Sequence, residues 1–227
     1  MAYLALDCTG ETFSCGLLTV SGLFTEVVGL NPRRALLELP GHIAHLLRTA
    51  EIRTQDVSGI GVTVGPGSFT GVRLGITLAK TIALCSDCQV CAVDTLECLA
   101  HQYRRSFSHT QGSLAVALDA RRGELYCGIY STGRANLPTG VRTPIEFMRA
   151  LEHESDVLAL IGAGFSAYPE LVPANFSGPV FATCAETALC MYTLCCLTRE
   201  AAAEQTLQAP GEITPAYHRR ADIQVSR

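Results

Sequence analysis

Three groups of residues in this 227-residue chain have the types and spacing to do chemistry. The first is glycine-rich. Val64 to Gly75 reads VGPGSFTGVRLG after an apolar run, and a glycine-rich turn opening a helix is a common cradle for phosphate. Its spacing fits none of the known loops. No Gly-Lys-Ser/Thr triplet follows, Thr70 occupies the third glycine position of GxGxxG, and Ser68 lies between Gly67 and Phe69 rather than inside GxSxG. The second group is a pair of aspartates, Asp7 in LALD and Asp119 in VALD, with a Gly162-x-Gly164 turn after VLALI. Aspartates at strand ends readily cap turns, and a Gly-x-Gly after a strand is by itself a weak signal for a nucleotide. The third is CSDCQVC (Cys85, Cys88, Cys91), with Cys98 further on. The spacing matches neither a ferredoxin run nor a zinc ribbon. CQVCAV alternates like a buried strand, which aims Cys88 and Cys91 at opposite faces. His42 and His45 share a helix face, but two ligands do not make a metal site. No metal and no cofactor is expected.

These residues need elements to position them. YLALD, FSCGLLTV and LFTEVVGL read as three strands joined by turns. Apolar residues from Leu36 to Ala50 recur at helical spacing, with a kink or break expected at Pro40-Gly41. VSGIGVTV is a buried strand. Ser68 or Thr70 caps a helix to about Leu84, QVCAV is a strand, and Thr95 caps a helix to about Arg105. RRSFSHTQGS is a polar break that divides an N-terminal lobe (1–106) from a C-terminal lobe (107–227). The second lobe opens with LAVALD and a hairpin, GELYCGIYS. It continues with a helix from Pro144, the strand VLALI, and a helix from about Ala185 to Glu204.

Gly67, Gly71, Gly75, Ala79 and Ala83 recur every fourth residue and form one stripe on the second helix. Each interior glycine costs about 1 kcal/mol relative to alanine, so the stripe needs a reason. A small-residue face admits close backbone approach. The approaching partner is either the chain's own sheet or another protein. Arg73, Thr77, Lys80 and Thr81 fall on the opposite side.

The two lobes open alike. LALDCTGETFSCGLL and VALDARRGELYCGIY share Ala-Leu-Asp, Gly-Glu and Cys-Gly in the same order. Such a repeat implies a duplicated unit. Two lobes, each opening with an aspartate at the end of a strand, resemble the actin/Hsp70/sugar-kinase (ASKHA, RNase H-like) superfamily. The expected fold is therefore α/β, with two lobes of mixed β-sheet flanked by helices. The resemblance implies a nucleotide cleft held by Asp7, Asp119, Gly162 and Gly164, vestigial if the phosphate chemistry has been lost.

LALD, GPGSFTGVRLG, ALDARRGELY and ITPAYHR occur in an order that resembles the TsaB (YeaZ) family over nearly the whole chain. That resemblance implies a non-catalytic subunit in the synthesis of N6-threonylcarbamoyladenosine on tRNA. Its implied partners are a TsaD-like catalytic subunit and a TsaE-like ATPase, with homodimerisation when alone and only indirect contact with tRNA. The family docks through its first two helices. Carried over, this surface includes His42, His45, Leu46, Ser68, Gly71, Arg73, Gly75 and Ala79; Leu46 and Leu47 serve equally well as core residues. The catalytic partner's His-x-x-x-His metal motif is absent from this sequence, and NPRRALLELPGH departs from the family's usual first-helix start near Glu-His-Ser. No catalytic residues are therefore expected. The competing readings are an ATPase or phosphotransferase of the same superfamily, and a glycoprotease-like enzyme.

The bulk numbers agree. Hydrophobic residues make up 48% and charged ones 17%, enough for a sizeable core. A net charge of −4 argues against free-standing nucleic-acid binding, although His218, Arg219 and Arg220 form a small basic tail. MAYLALDCTG lacks a secretory pattern and no window is apolar enough for a membrane helix, so the expected compartment is the cytoplasm with no membrane partner. Eleven cysteines in apolar contexts then read as small buried hydrophobes, kept reduced.

Overall fold

A computed structural model describes residues 1–107, 111–183 and 188–219. Ala2–Asp7 (β1), Phe13–Thr19 (β2) and Phe24–Gly29 (β3) form an antiparallel meander. On its other side β1 pairs in parallel with Val57–Thr63 (β4), which pairs in parallel with Gln89–Val93 (β5). The order is β3-β2-β1-β4-β5. Ser113–Arg121 (β6), Glu124–Ser131 (β7), Arg134–Arg142 (β8), Val157–Ile161 (β9) and Val180–Phe181 (β10) repeat it strand for strand as β8-β7-β6-β9-β10. The sequence echo is thus structural, and this is the duplicated α/β architecture expected of the actin-like superfamily. One offset separates the copies. Leu6 pairs with Cys15, but Ala117 pairs with Cys127, because an irregularity between Asp119 and Arg121 shifts the second hairpin by one residue.

Helices and sheets stack in layers. Ala35–Thr49 (α1) and Phe69–Ser86 (α2) cover the outer face of the first sheet, where Leu39, Ile43, Val72 and Ile76 meet Leu4, Leu6 and Val62. Thr95–Phe107 (α3) and Met191–Ala203 (α6) fill the space between the sheets. Each packs across the expected lobe boundary at 106/107: α3 lies on β6 and β7, while α6 lies on β1, β2 and β4. Pro144–Glu152 (α4) and the short Gly164–Ala167 (α5) cover the outer face of the second sheet. The boundary segment itself includes 108–110, which lie outside the described residues.

Several local expectations need correction. The first helix does not break at Pro40-Gly41; α1 is continuous with Pro40 inside it. An interior proline costs about 3 kcal/mol. Leu39, Ile43, Leu46 and Leu47 are buried against the sheet, and each contributes roughly 1.5–3 kcal/mol, so packing outweighs the lost bond. The cap of α3 is Asp94 rather than Thr95: Asp94 Oδ1 accepts from the Leu96 and Glu97 amides at 2.8 and 3.2 Å. The last helix begins at Met191 among the described residues, not near Ala185, and 185–187 are not described. Strand β8 was not anticipated. It carries Pro138 and Gly140, both disfavoured within strands, and an irregular edge strand tolerates both.

Candidate functional site

The loop after β1 positions the first aspartate. Asp7 is buried, and its Oδ1 accepts from the Thr9 amide at 3.1 Å, Thr9 Oγ1 at 2.7 Å and Thr63 Oγ1 at 2.5 Å. Burial raises the Asp7 pKa above the ordinary carboxylate value, and the threonine bonds oppose that rise without cancelling it. Asp119 occupies the corresponding place on β6 and accepts from the Arg121 amide at 2.7 Å. Both aspartates therefore brace their own turns. Both also line a cleft of about 740 Å³, together with Ser68, Thr95 and Arg121. Among the described residues, Glu11 adds a third carboxylate to that lining, against the one guanidinium of Arg121.

Of the Gly162–Gly164 turn, Ala163 lines the same cleft and the two glycines do not. A Cβ on either glycine would overlap the Ala117 backbone, and Gly162 has φ +120°. Close packing on β6 accounts for both residues without a ligand.

The glycine-rich stretch is anchored on all sides. The Ser68 amide donates to Thr9 O at 2.8 Å, and the Thr95 amide donates to Gly65 O at 2.8 Å. Ser68 caps α2 by accepting from the Gly71 amide at 3.2 Å. Two amides that would face a phosphate are thus committed to the chain itself. The stripe behind them faces inward. Gly71 lets the first turn of α2 rest on the Cys8 carbonyl, where a Cβ would overlap backbone. Gly75 sees Cys8 and Val62 side chains at 3.7 Å, and Ala79 is fully buried.

This placement sorts the expected partner residues. Leu46, Gly75 and Ala79 are buried and Gly71 sits on Cys8, so they seat α1 and α2 on the sheet rather than offer a surface. His42 is half-buried, its ring stacked 6.0 Å from Phe13. His45, Ser68 and Arg73 are exposed. The Arg73 guanidinium lies 3.8 Å above the Phe69 ring, and its Nε donates to Tyr217 Oη at 2.8 Å. Sequence reasoning missed the most exposed apolar residues of α1 and α2: Leu36 at 73%, Leu37 at 75% and Leu84 at 74% exposure. They were legible in one respect. The buried stripe of α1, Ala35-Leu39-Ile43-Leu46, leaves no room on its face for Leu37.

Among the described cysteines, Cys85 is exposed, and the others are buried or half-buried as small hydrophobes would be. Cys88 packs with the outer core and Cys91 with the core between the sheets, on opposite sides of the first sheet. Burial pushes the Cys8 and Cys15 thiols up to about 12. Among the described residues no group of three His, Cys, Asp or Glu is arranged to hold a metal, and no helix is long and apolar enough to cross a membrane.

Residues 25–218 match a family model described as TsaD: tRNA N6-adenosine threonylcarbamoyltransferase. The chain is 30% identical over 176 residues to the tRNA threonylcarbamoyladenosine biosynthesis protein TsaB of Escherichia coli, covering 75% of each. It is 38% identical over 131 residues to the protein of the same name from Bacillus subtilis, where the match spans 57% of this chain and about half of that relative (55%). Among solved structures, YeaZ from Pseudomonas aeruginosa superposes with a TM-score of 0.78 at 26% identity, over 95% of this chain and 99% of that one. An inorganic polyphosphate/ATP-glucomannokinase from an Arthrobacter strain shares the fold at a TM-score of 0.50 and 12% identity, over 90% and 99% of the two chains.

Proposed function

Because the chain belongs to the TsaB family, we propose that it serves the synthesis of threonylcarbamoyladenosine in tRNA as a non-catalytic subunit. It binds a TsaD-like threonylcarbamoyltransferase through the outward face of α1 and α2. The observation that carries this reading is the exposed apolar set Leu36, Leu37 and Leu84, on two helices that each pack one buried stripe on the sheet. Each such side chain gains about 1.5–3 kcal/mol on burial, so a partner covering them has a driving force that the lone chain does not use. Arg73, held over Phe69 at one end of α2, adds a pre-ordered cation of the kind that anchors interfaces. Alone, the same face supports a homodimer. A TsaE-like ATPase joins the assembly, and tRNA is met through the catalytic partner.

Reconstitution tests this. TsaD-type and TsaE-type partners, ATP, the threonylcarbamoyl donor and tRNA should yield the modified base only when this chain is added. Equal yield without it would refute the subunit role.

A second reading keeps the cleft in use. It is supported by the convergence of Asp7, Asp119 and the Gly162–Gly164 turn on one cavity. The carboxyl groups of Asp7, Glu11 and Asp119 among its described lining disfavour a polyphosphate without a compensating cation. Titration calorimetry with ATP and Mg²⁺ separates the readings: micromolar binding by the isolated chain would support a live nucleotide site.

A further inference from the structure

The segment after α6 leaves its helix and returns across both lobes. Gln208 pairs with Val90 through two backbone bonds of 2.9 Å, closing the open edge of β5. Ile213 is buried in the outer core. The Ala216 amide donates to Val64 O at 2.8 Å, beside the glycine-rich loop. Tyr217 packs 5.8 Å from the Phe69 ring and accepts from Arg73, both in the first turns of α2. His218 Nε2 lies 3.3 Å from Asp94 Oδ2, without hydrogen-bond alignment. Arg219 ends the described segment on the second lobe, paired with Glu124 and 3.4 Å from Arg121 O. Arg220, the last residue of the basic tail read from sequence, lies outside the described residues.

Two of these anchors are junctions in their own right. Asp94 caps α3 and also accepts from Thr139 Oγ1 of β8 at 2.9 Å, so it already ties the first lobe to the second. The turn that Arg219 grips is conformationally costly. Arg121 and Arg122 have φ of +61° and +57°, a region that side chains other than glycine rarely adopt. That turn carries Asp119 into the cleft.

We propose that residues Gln208–Arg219 form an interlobe strap, which couples the first turns of α2 to the Asp119–Glu124 turn of the second lobe. After one 3-10 turn at Pro210–Glu212 the strap runs without helix or strand, and its anchors follow one another at Ala216, Tyr217, His218 and Arg219. Consecutive anchors leave no slack. Displacing Tyr217 from Arg73 therefore shifts the purchase of Arg219 on the turn, and loosening the turn frees Tyr217. The coupling is a property of the lone chain and stands whether or not α2 docks a partner. If it does, engagement of Arg73 is transmitted to the wall of the cleft.

Amide hydrogen exchange on the full chain tests the strap. Arg219→Glu should speed exchange at residues 119–126 about fivefold, as expected for loss of one partly exposed ion pair. The charge swap Arg219→Glu with Glu124→Arg should restore it. Tyr217→Ala should also speed exchange at 119–126, although the hydrogen bond and ring contact of Tyr217 are to Arg73 and Phe69 on α2. Wild-type protein provides a check that needs no variant to fold: raising salt from about 0.05 to about 0.5 M screens the ion pair and should accelerate the same amides. Two results would overturn the inference. One is a Tyr217→Ala effect confined to the first turns of α2; the other is salt-independent exchange at 119–126.

Discussion

Gly71 and Gly75 occupy the same helix stripe, yet alanine should affect them in opposite directions. At Gly71 an added Cβ overlaps the Cys8 carbonyl, a backbone atom at the end of β1 that cannot rotate away. Overpacking costs about 1–3 kcal/mol, and a backbone obstacle puts this site at the upper end. Helix propensity returns about 1 kcal/mol, leaving Gly71→Ala destabilised by about 2 kcal/mol. At Gly75 the new Cβ meets Cys8 and Val62 at 3.7 Å, ordinary contact distance. The propensity gain then stands nearly alone, and Gly75→Ala should be stabilised by about 0.5–1 kcal/mol. The difference of roughly 3 kcal/mol corresponds to about 6–12 °C in Tm for a chain of this size. Urea denaturation of the two variants beside wild type measures it directly. Equal stability for the two variants, or a loss at Gly75 matching that at Gly71, would refute the claim that the stripe seats α2 on the loop after β1.

Other outcomes follow from the same geometry. Pro40→Ala should raise stability by about 1–3 kcal/mol, since α1 already runs through Pro40 and regains a backbone bond; calorimetric Tm checks it. Asp7→Asn tests the buried carboxyl. Because the folded pKa of Asp7 is raised, the folded state binds that proton more tightly, so its contribution favours folding at low pH and is lost as pH rises through the raised value. The asparagine variant should therefore gain on wild type at neutral pH. That advantage should shrink as pH falls through the raised pKa toward 3.8, read from urea midpoints across the range.

Much of the fold was legible from hydrophobic pattern because β1, β2 and β4 are almost wholly buried, and apolar runs bounded by turns mark such strands plainly. The Asp-ended repeat anticipated the duplicated sheet order because both copies must brace the same kind of turn. What escaped was set by tertiary contact. Pro40 signals a break locally, but the sheet beneath α1 holds the helix together. Pro138 signals a turn, yet β7 recruits its segment as an irregular edge. The glycine stripe signalled close approach correctly and left open what approaches; only the position of Cys8 decides that it is the chain's own backbone. Leu37 falls outside the stripe that Leu39, Ile43 and Leu46 define, but Leu36 falls beside it, and spacing alone does not say that the sheet leaves Leu36 outside. The strap was invisible for a simpler reason: residues 208–219 lack periodicity, and their anchors lie far away along the chain.

The central claim is that the outer face of α1 and α2 is a docking surface. Leu37→Asp and Leu84→Asp place charges on side chains already in solvent, so folding stability should change by no more than about 0.5 kcal/mol. Light scattering coupled to size-exclusion chromatography, with a TsaD-type partner at micromolar concentration, then reads the complex. The account expects a one-to-one complex with the wild-type chain, and free components with either variant at unchanged Tm. A complex of undiminished affinity with both aspartates in place would contradict it.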